Sequence, residues 1–341
     1  MTIMNSTSLL NAHQRQYLVN NRPVYYSPTP QLLTFAPDYI LALAAPLIAY
    51  WSLSLLFHIL DTSNWKWLDK YRIHESAEVQ SRNLVTIGEV IRAVFWQHVV
   101  QTILGYWWME VLPVGEQVDH IAAMQSMLLT LYDLAKTIAG EKTISPLFEN
   151  YAHELVYAVY WWIIPVAKFL LGMIIIDTWQ YFLHRGMHMN TYLYKKLHSV
   201  HHRLYVPYAF GALYNHPLEG FLLDTLGAGI AEYVVGMSTR EAMLLFTVST
   251  LKTVDDHCGY SLPYDPLQMF SGNNADYHDI HHQVRHSCIS ITLTLIFLPQ
   301  VIGIKSNFSQ PFFIHWDVIL GTRMTRKDIE ERKQRLKKRT D

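Results

Sequence analysis

Only two cysteines, Cys258 and Cys288, occur in 341 residues. That is too few for a disulfide framework, and each is expected to be a small buried hydrophobe without a catalytic role. Charge is scarce as well. Asp, Glu, Lys and Arg make up 16% of the chain and apolar residues 50%, a charge shortage relative to soluble domains that predicts lipid around much of the surface. The net charge of −1 provides no field to gather nucleic acid or another polyanion. The first twenty residues hold no apolar run ahead of a small-residue cleavage site, so no removable signal peptide is expected. Neither a Rossmann glycine fingerprint nor a haem-attachment motif is present, which assigns any electron supply to a separate protein.

Long apolar runs are what the chain has instead. Tyr39 to Leu60 contains no Asp, Glu, Lys or Arg over 22 residues. At about 1.5 Å per residue it covers the ~30 Å hydrocarbon layer, and it is expected to serve as the membrane signal. Leu155 to Ile176 is a second span of the same length; its Lys168 can snorkel and its Pro165 is tolerated in lipid. Val90 to Leu112 is interrupted by Arg92 and Glu110, leaving open a span or a helix lying in the interface. Between Phe221 and Val254, two shorter apolar helices flank Ser238-Thr239-Arg240-Glu241, the pattern of a hairpin that enters the membrane and returns.

Segments 1–38, 61–89, 113–154 and 177–220 carry 2, 4, 2 and 4 Lys or Arg. The positive-inside rule converts this alternation to outside, inside, outside, inside, and turns the later histidines towards the cytosol. The tail from Arg323 to Asp341 has nine Lys or Arg against four Asp or Glu, reading as a solvated charged helix near lipid headgroups. Its KKRTD ending is an imperfect dilysine signal for the endoplasmic reticulum. Asn5, in NST, is a glycosylation triplet of the kind that also arises by chance. The expected fold class is all-α: a multi-pass transmembrane bundle with a cytosolic, histidine-rich di-metal cap. It divides into an N-terminal segment 1–38, spans 39–176, a cap 177–322 and a basic tail 323–341.

Histidine is the residue in excess. Ten of the eighteen fall within the 99 residues from His184 to His282. HRGMH sets His184 and His188 at i and i+4, HSVHH sets His198, His201 and His202 at i, i+3 and i+4, and HDIHH repeats that spacing with His278, His281 and His282. Each group is read as projecting from one helix face. At this histidine content a given HxxHH arises by chance only ~0.05 times per chain, so two copies are not coincidence. A lone histidine is usually a hydrogen-bonded core residue, but eight grouped ones would lack partners and repel one another if charged. A metal supplies the partners, and eight or more nitrogens exceed what one four-coordinate ion uses, which points to two ions. His257, in DDHCGY, is a further candidate ligand. His216, in NHPLEG, is weighed between ligand and support. Glu219, Asp255 and Asp256 lie beside them as carboxylates that can orient imidazoles or merely cap helices. Asp177, two turns before His184, either anchors that helix to the site or marks the membrane boundary.

HRGMH, HSVHH and HDIHH, in this order after hydrophobic spans, resemble the three histidine boxes of the fatty acid hydroxylase and sterol desaturase superfamily of membrane di-iron enzymes. The surrounding text, DTWQYFLHRGMH, LYKKLHSVHHRLYVPYAFGALYNHPLEG, DDHCGY and NFSQPFFIHWDVILGT, is similar to its fungal sphinganine 4-hydroxylases from about Pro37 to Thr322. The resemblance implies a fatty acid hydroxylase domain over 177–322 and hydroxylation of a sphingoid long-chain base to phytosphingosine. It implies two iron ions, O2 as co-substrate, and electrons from NADH or NADPH through cytochrome b5 and its reductase. Its metal ligands carry over to His184, His188, His198, His201, His202, His278, His281 and His282, with His257 added. A long-chain substrate needs an apolar tunnel, whose mouth Tyr205, Tyr208, Phe210 and Tyr214 are placed to line if they are not core packing. A sterol desaturase or sterol methyl oxidase would keep the same ligands. A non-enzymatic metal transporter would instead need ionisable groups along its spans, and the first span has none.

The chain departs from the family text at Val284 to Gln300, VRHSCISITLTLIFLPQ. Removing these 17 residues restores the expected continuation. Their coding length is a multiple of three, the Val codon begins GT and a Gln codon can end AG, so they are read as a retained short intron. His286 and Cys288, inside the insert, are not counted as ligands.

Overall fold

In a computed structural model the chain is helical, and no strand occurs among the described residues, 10–63, 65–75, 78, 81–111, 118–269, 271–292 and 306–340. Asn5 lies outside them. The principal helices are α1 (Asp38–Thr62), α2 (Ile87–Val111), α3 (His120–Ala139), α4 (Glu141–Ala158), α5 (Ile164–Met189), α6 (Leu226–Val235), α7 (Thr239–Asp256), α8 (Ala275–Thr292) and α9 (Arg326–Thr340). They fall into two compact units: residues 1–38 with 112–170, and 39–111 with 171–341.

The first unit is built on a hairpin that the apolar-run reading passed over. Met124, Leu128 and Tyr132 on α3, and Ile144, Phe148, Ala152 and Val156 on α4, recur at four-residue spacing and are all buried. Such rows form ridges that pack helix against helix, each large apolar side chain contributing about 1.5–3 kcal/mol on burial. Asp119 caps α3 by accepting from the Ile121 and Ala122 amides. Gly140 turns the chain at φ 80°, where a side chain would be strained.

The second unit holds the histidines. Its core gathers Tyr50 and Phe57 of α1, Val90 and Val94 of α2, and Tyr208, Phe210, Val254 and Tyr260. The Tyr50 hydroxyl donates to the Phe210 carbonyl at 2.7 Å, tying α1 to the segment after the second histidine group. Two helical runs are long and apolar enough to cross a membrane, α1 (38–62) and 141–189, in which the π-turn Val159–Ile163 joins α4 to α5, and only 22% and 17% of their most apolar stretches are buried. Apolar faces left so uncovered are suited to lipid, and both are candidate membrane spans. The interrupted helix α2 runs its full 25 residues, exposing Phe95, Trp96, Ile103 and Trp107 while burying Gln97 and His98. The polar break between α6 and α7 is where the sequence puts it. Gly236 ends α6 at φ 64°, and Ser238 with Glu241 forms a reciprocal capping box that starts α7.

Candidate metal centre

Nine histidines from four stretches of the chain meet in two sets. His184, His188, His198, His202 and His281 form one and His201, His257, His278 and His282 the other; within each set the nearest ring nitrogens all lie within 4.8 Å of one another. The sets share a wall, with ring centroids of His201 and His282 4.6 Å apart and of His202 and His282 4.8 Å. HRGMH behaves as its spacing suggests, sending both histidines from α5 into the five-membered set. Each HxxHH group divides instead. His198 and His202 join one set and His201 the other, while His278 and His282 join one set and His281 the other. In the second group the backbone assists this division. Tyr194–His198 is a π-turn and His201–Arg203 a 3-10 turn, the local irregularity that often marks a functional helix.

The distal nitrogens fix what the converging ones can do. Nδ1 of His184 donates to the Phe308 carbonyl (2.9 Å), that of His281 to Ser306 (2.8 Å), that of His282 to Leu204 (2.7 Å), that of His257 to Thr253 (2.8 Å) and that of His201 to Tyr214 (3.2 Å). Nδ1 of His198 donates to the buried Glu219 carboxylate. A carbonyl only accepts, so the proton of each neutral ring sits on Nδ1 and Nε2 presents a lone pair. Yet Nε2 of His198 lies 3.0 Å from that of His184 and 2.8 Å from that of His188, and Nε2 of His278 lies 2.9 Å from that of His257. Nε2 of His201 is buried with no hydrogen-bond partner.

Protonation does not relieve this convergence. Burial holds His198, His201, His202, His278 and His282 below the ordinary imidazole range, and pushes His257 to about 3 and His281 to about 4. Lone pairs aimed at a common point from neutral rings are a donor set for a cation, and imidazole suits first-row transition metals. The residues fit two metal ions.

The remaining predicted residues take distinct places. Glu219 supports His198, not the nearby His216, and burial raises its carboxyl to about 7. His216 enters neither set; its Nδ1 accepts from the Leu218 amide as a helix cap. Asp177 accepts from the Phe312 and Phe313 amides, anchoring α5 to the segment beyond the third histidine group. Asp256 pairs with Lys252 and Asn273, and Asp255 with Gln268, so neither touches His257. The reason is local: α7 ends there, and the free Thr253 carbonyl one turn back accepts the hydrogen bond from His257 Nδ1. Tyr205, Tyr208, Phe210 and Tyr214 are all buried, the last three within the core around Tyr50. Cys258 is a buried free thiol. A water-sized cavity of about 20 Å³ touches His198, His201, Glu219, Asp224 and His257.

Sequence reasoning did not single out Phe308, whose ring lies 5.2 Å from His188 and 5.9 Å from both His184 and His281. Asp279, inside HDIHH, points away from the metal sets to His74 at 2.9 Å and Arg326 at 2.7 Å. Asp317 holds the loop that carries Phe308.

Residues 169–322 match the family model described as fatty acid hydroxylase. The chain is 44% identical to the sphingolipid C4-hydroxylase of Saccharomyces cerevisiae over 308 residues, covering 90% of this chain and 78% of that one. It is 38% identical to sphinganine C4-monooxygenase 2 of Arabidopsis thaliana over 84% of this chain and 88% of that one. A rice (Oryza sativa subsp. japonica) protein named very-long-chain aldehyde decarbonylase GL1-9 is also 38% identical, over 85% of this chain and 90% of its own. No solved structure matches.

Proposed function

The chain belongs to the fatty acid hydroxylase family, and on that premise we propose that it is a sphinganine C4-hydroxylase. Sphinganine, O2, two electrons and two protons give phytosphingosine and water. The observation that carries the reading is the pair of neutral imidazole sets, joined to relatives named for this reaction over 84–90% of the chain. Two iron ions held there would supply the oxygen activation and methylene C–H cleavage that no acid or base side chain can provide. His184, His188, His198, His202 and His281 would hold one ion, and His201, His257, His278 and His282 the other.

This chain's residues keep the rings neutral, oriented and dry. The backbone carbonyls of Phe308, Ser306, Leu204, Thr253 and Tyr214 and the Glu219 carboxylate pin the Nδ1 protons. The Phe308 ring covers three members of the five-histidine set and excludes water from that side. The Tyr208 hydroxyl is buried without a hydrogen-bond partner among the described residues, which makes it the polar atom of the aromatic run left free to meet a substrate hydroxyl or amine. Electrons reach the site from reduced cytochrome b5, itself reduced from NADH or NADPH. The enzyme sits as a multi-pass protein in the endoplasmic reticulum membrane with its histidines facing the cytosol.

Expression in a strain that makes no 4-hydroxylated long-chain bases should restore phytosphingosine, identified by mass spectrometry. A shifted sterol intermediate, or hydrocarbons formed from aldehydes, with no 4-hydroxylated base would replace this reading by a sterol oxidase or a decarbonylase.

The insert 284–300 is best read as dispensable. The helical backbone of α8 continues through Thr292, and 293–300 lie outside the described residues. On either side the chain is held at one place: Gln283 accepts from the Tyr205 hydroxyl, and the Ser306 carbonyl accepts from His281, two residues before Gln283. Residues 301–305 can span roughly 20 Å, enough to join these points directly. Removing 284–300 should therefore leave the iron content unchanged and the product at or above the level of the longer chain. Metal analysis and lipid profiling of the two forms check this, and cloned cDNA should show the shorter form as the major transcript.

A further inference from the structure

Hydroxylation consumes two electrons per O2, and four of the five histidines in the larger set are buried with His188 half-buried, so the electrons have to pass through the residues packed around them. Tyr194 is one of these. Its ring centroid is 5.6 Å from that of His188 and 5.9 Å from those of His198 and His202, and it stacks on His202 at 28°. No other described aromatic residue outside the histidines touches those three rings together. Only 9% of Tyr194 is exposed, but the next two residues, Lys195 and Lys196, are exposed, and neither pairs with a carboxylate among the described residues. The π-turn Tyr194–His198 explains the arrangement: one short segment directs the tyrosine and His198 inwards and two ammonium groups outwards. The other aromatic route leads from His184 through Phe308 and Tyr181 to Trp316. It opens beside exposed Val318, Ile319 and Leu320, an apolar surface suited to lipid and not to a charged carrier.

We infer that Lys195 and Lys196 form the docking point for the acidic face of a one-electron haem carrier, and that the Tyr194 ring is the contact through which its electrons reach the five-histidine set. The inference rests on the hydroxylase reading. Each passage oxidises one ferrous haem to ferric and delivers one electron inwards; two passages, with two protons and O2, balance one hydroxylation. Tyr194 is not itself oxidised. Its ring fills the gap between carrier and ligands.

The experiment uses the full-length, iron-loaded enzyme in neutral-lipid nanodiscs and the soluble haem domain of cytochrome b5, reduced and mixed anaerobically, with haem oxidation followed in a stopped-flow spectrometer. For K195E/K196E the second-order rate at low salt should fall about tenfold or more and lose its dependence on ionic strength. Reduction by dithionite should keep the wild-type rate. In Tyr194→Leu the first-order transfer within the complex should slow while binding is kept, and Tyr194→Phe should restore it. If K195Q/K196Q and K195E/K196E leave the haem reaction and its salt dependence unchanged, the inference is overturned. The same holds if the charge changes alter only binding to vesicles containing anionic phospholipid, which would make the lysines lipid anchors. A wild-type enzyme that accepts electrons yet forms no 4-hydroxylated base would instead defeat the hydroxylase reading.

Discussion

His278→Ala should lower the iron content from two ions per chain to one and reduce phytosphingosine formation by roughly a hundredfold or more. Losing a group that merely supports a ligand commonly costs ten- to a hundredfold, and losing the ligand itself costs at least as much. His278 is the hub of the four-membered set: its Nε2 lies 2.9 Å from that of His257 and 3.1 Å from that of His282. Alanine removes one of four nitrogens and leaves three convergent lone pairs with a weakened claim on a cation. The five-membered set shares none of its nitrogens with His278, so its ion should remain. His216→Ala is the matched control. That histidine lies in the same stretch of sequence but belongs to neither set, and its loss should cost about 1 kcal/mol of helix capping with both ions retained. Iron analysis by mass spectrometry and a product assay check both variants. Two ions and full product in His278→Ala would remove the basis for assigning the four-membered set to metal.

How the ligands divide was within reach of the sequence, although the spacing was read as one face. At 100° per residue, i+4 lies 40° from position i and i+3 lies 60° away on the opposite side, so the last two histidines of HxxHH diverge by 100°. The first and last can therefore share one ion while the middle one turns to another, as His278, His282 and His281 do. The carboxylate support was not legible in this way. Glu219 stands three residues from His216 and 21 from His198, and only the path of the chain decides which ring it meets. The same limit applies to Asp255 and Asp256, which adjoin His257 in sequence and serve Gln268 and Lys252 in space. The α3 and α4 hairpin was missed for a different reason. A search for uncharged runs selects lipid-facing helices, whereas this pair announces itself through buried residues at four-residue spacing between charged ones.

Asp317 is expected to show the largest stability effect of any side chain that contacts no histidine. It is fully buried, and its two oxygens accept four hydrogen bonds: from the amides of Phe308 (3.0 Å) and Ser309 (2.9 Å) and from the hydroxyls of Thr322 (2.6 Å) and Tyr277 (2.9 Å). Asp317→Ala leaves those four donors buried without their acceptor. At 1–3 kcal/mol for each group that cannot find another partner, the loss is on the order of 4 kcal/mol. The damage has a direction. The loop that Asp317 holds presents the Ser306 and Phe308 carbonyls to Nδ1 of His281 and His184, and it places the Phe308 ring over the five-histidine set. The carbonyls that orient His201, His257 and His282 belong to Tyr214, Thr253 and Leu204, outside that loop. Iron should therefore leave the five-membered set first, giving about one ion per chain in a protein whose unfolding midpoint has fallen. Asp317→Asn, which keeps one accepting oxygen, should lie between the two. Equal stability and two tightly held ions in Asp317→Ala would show that the loop is fixed by other contacts, and that the orientation of His184 and His281 does not depend on it.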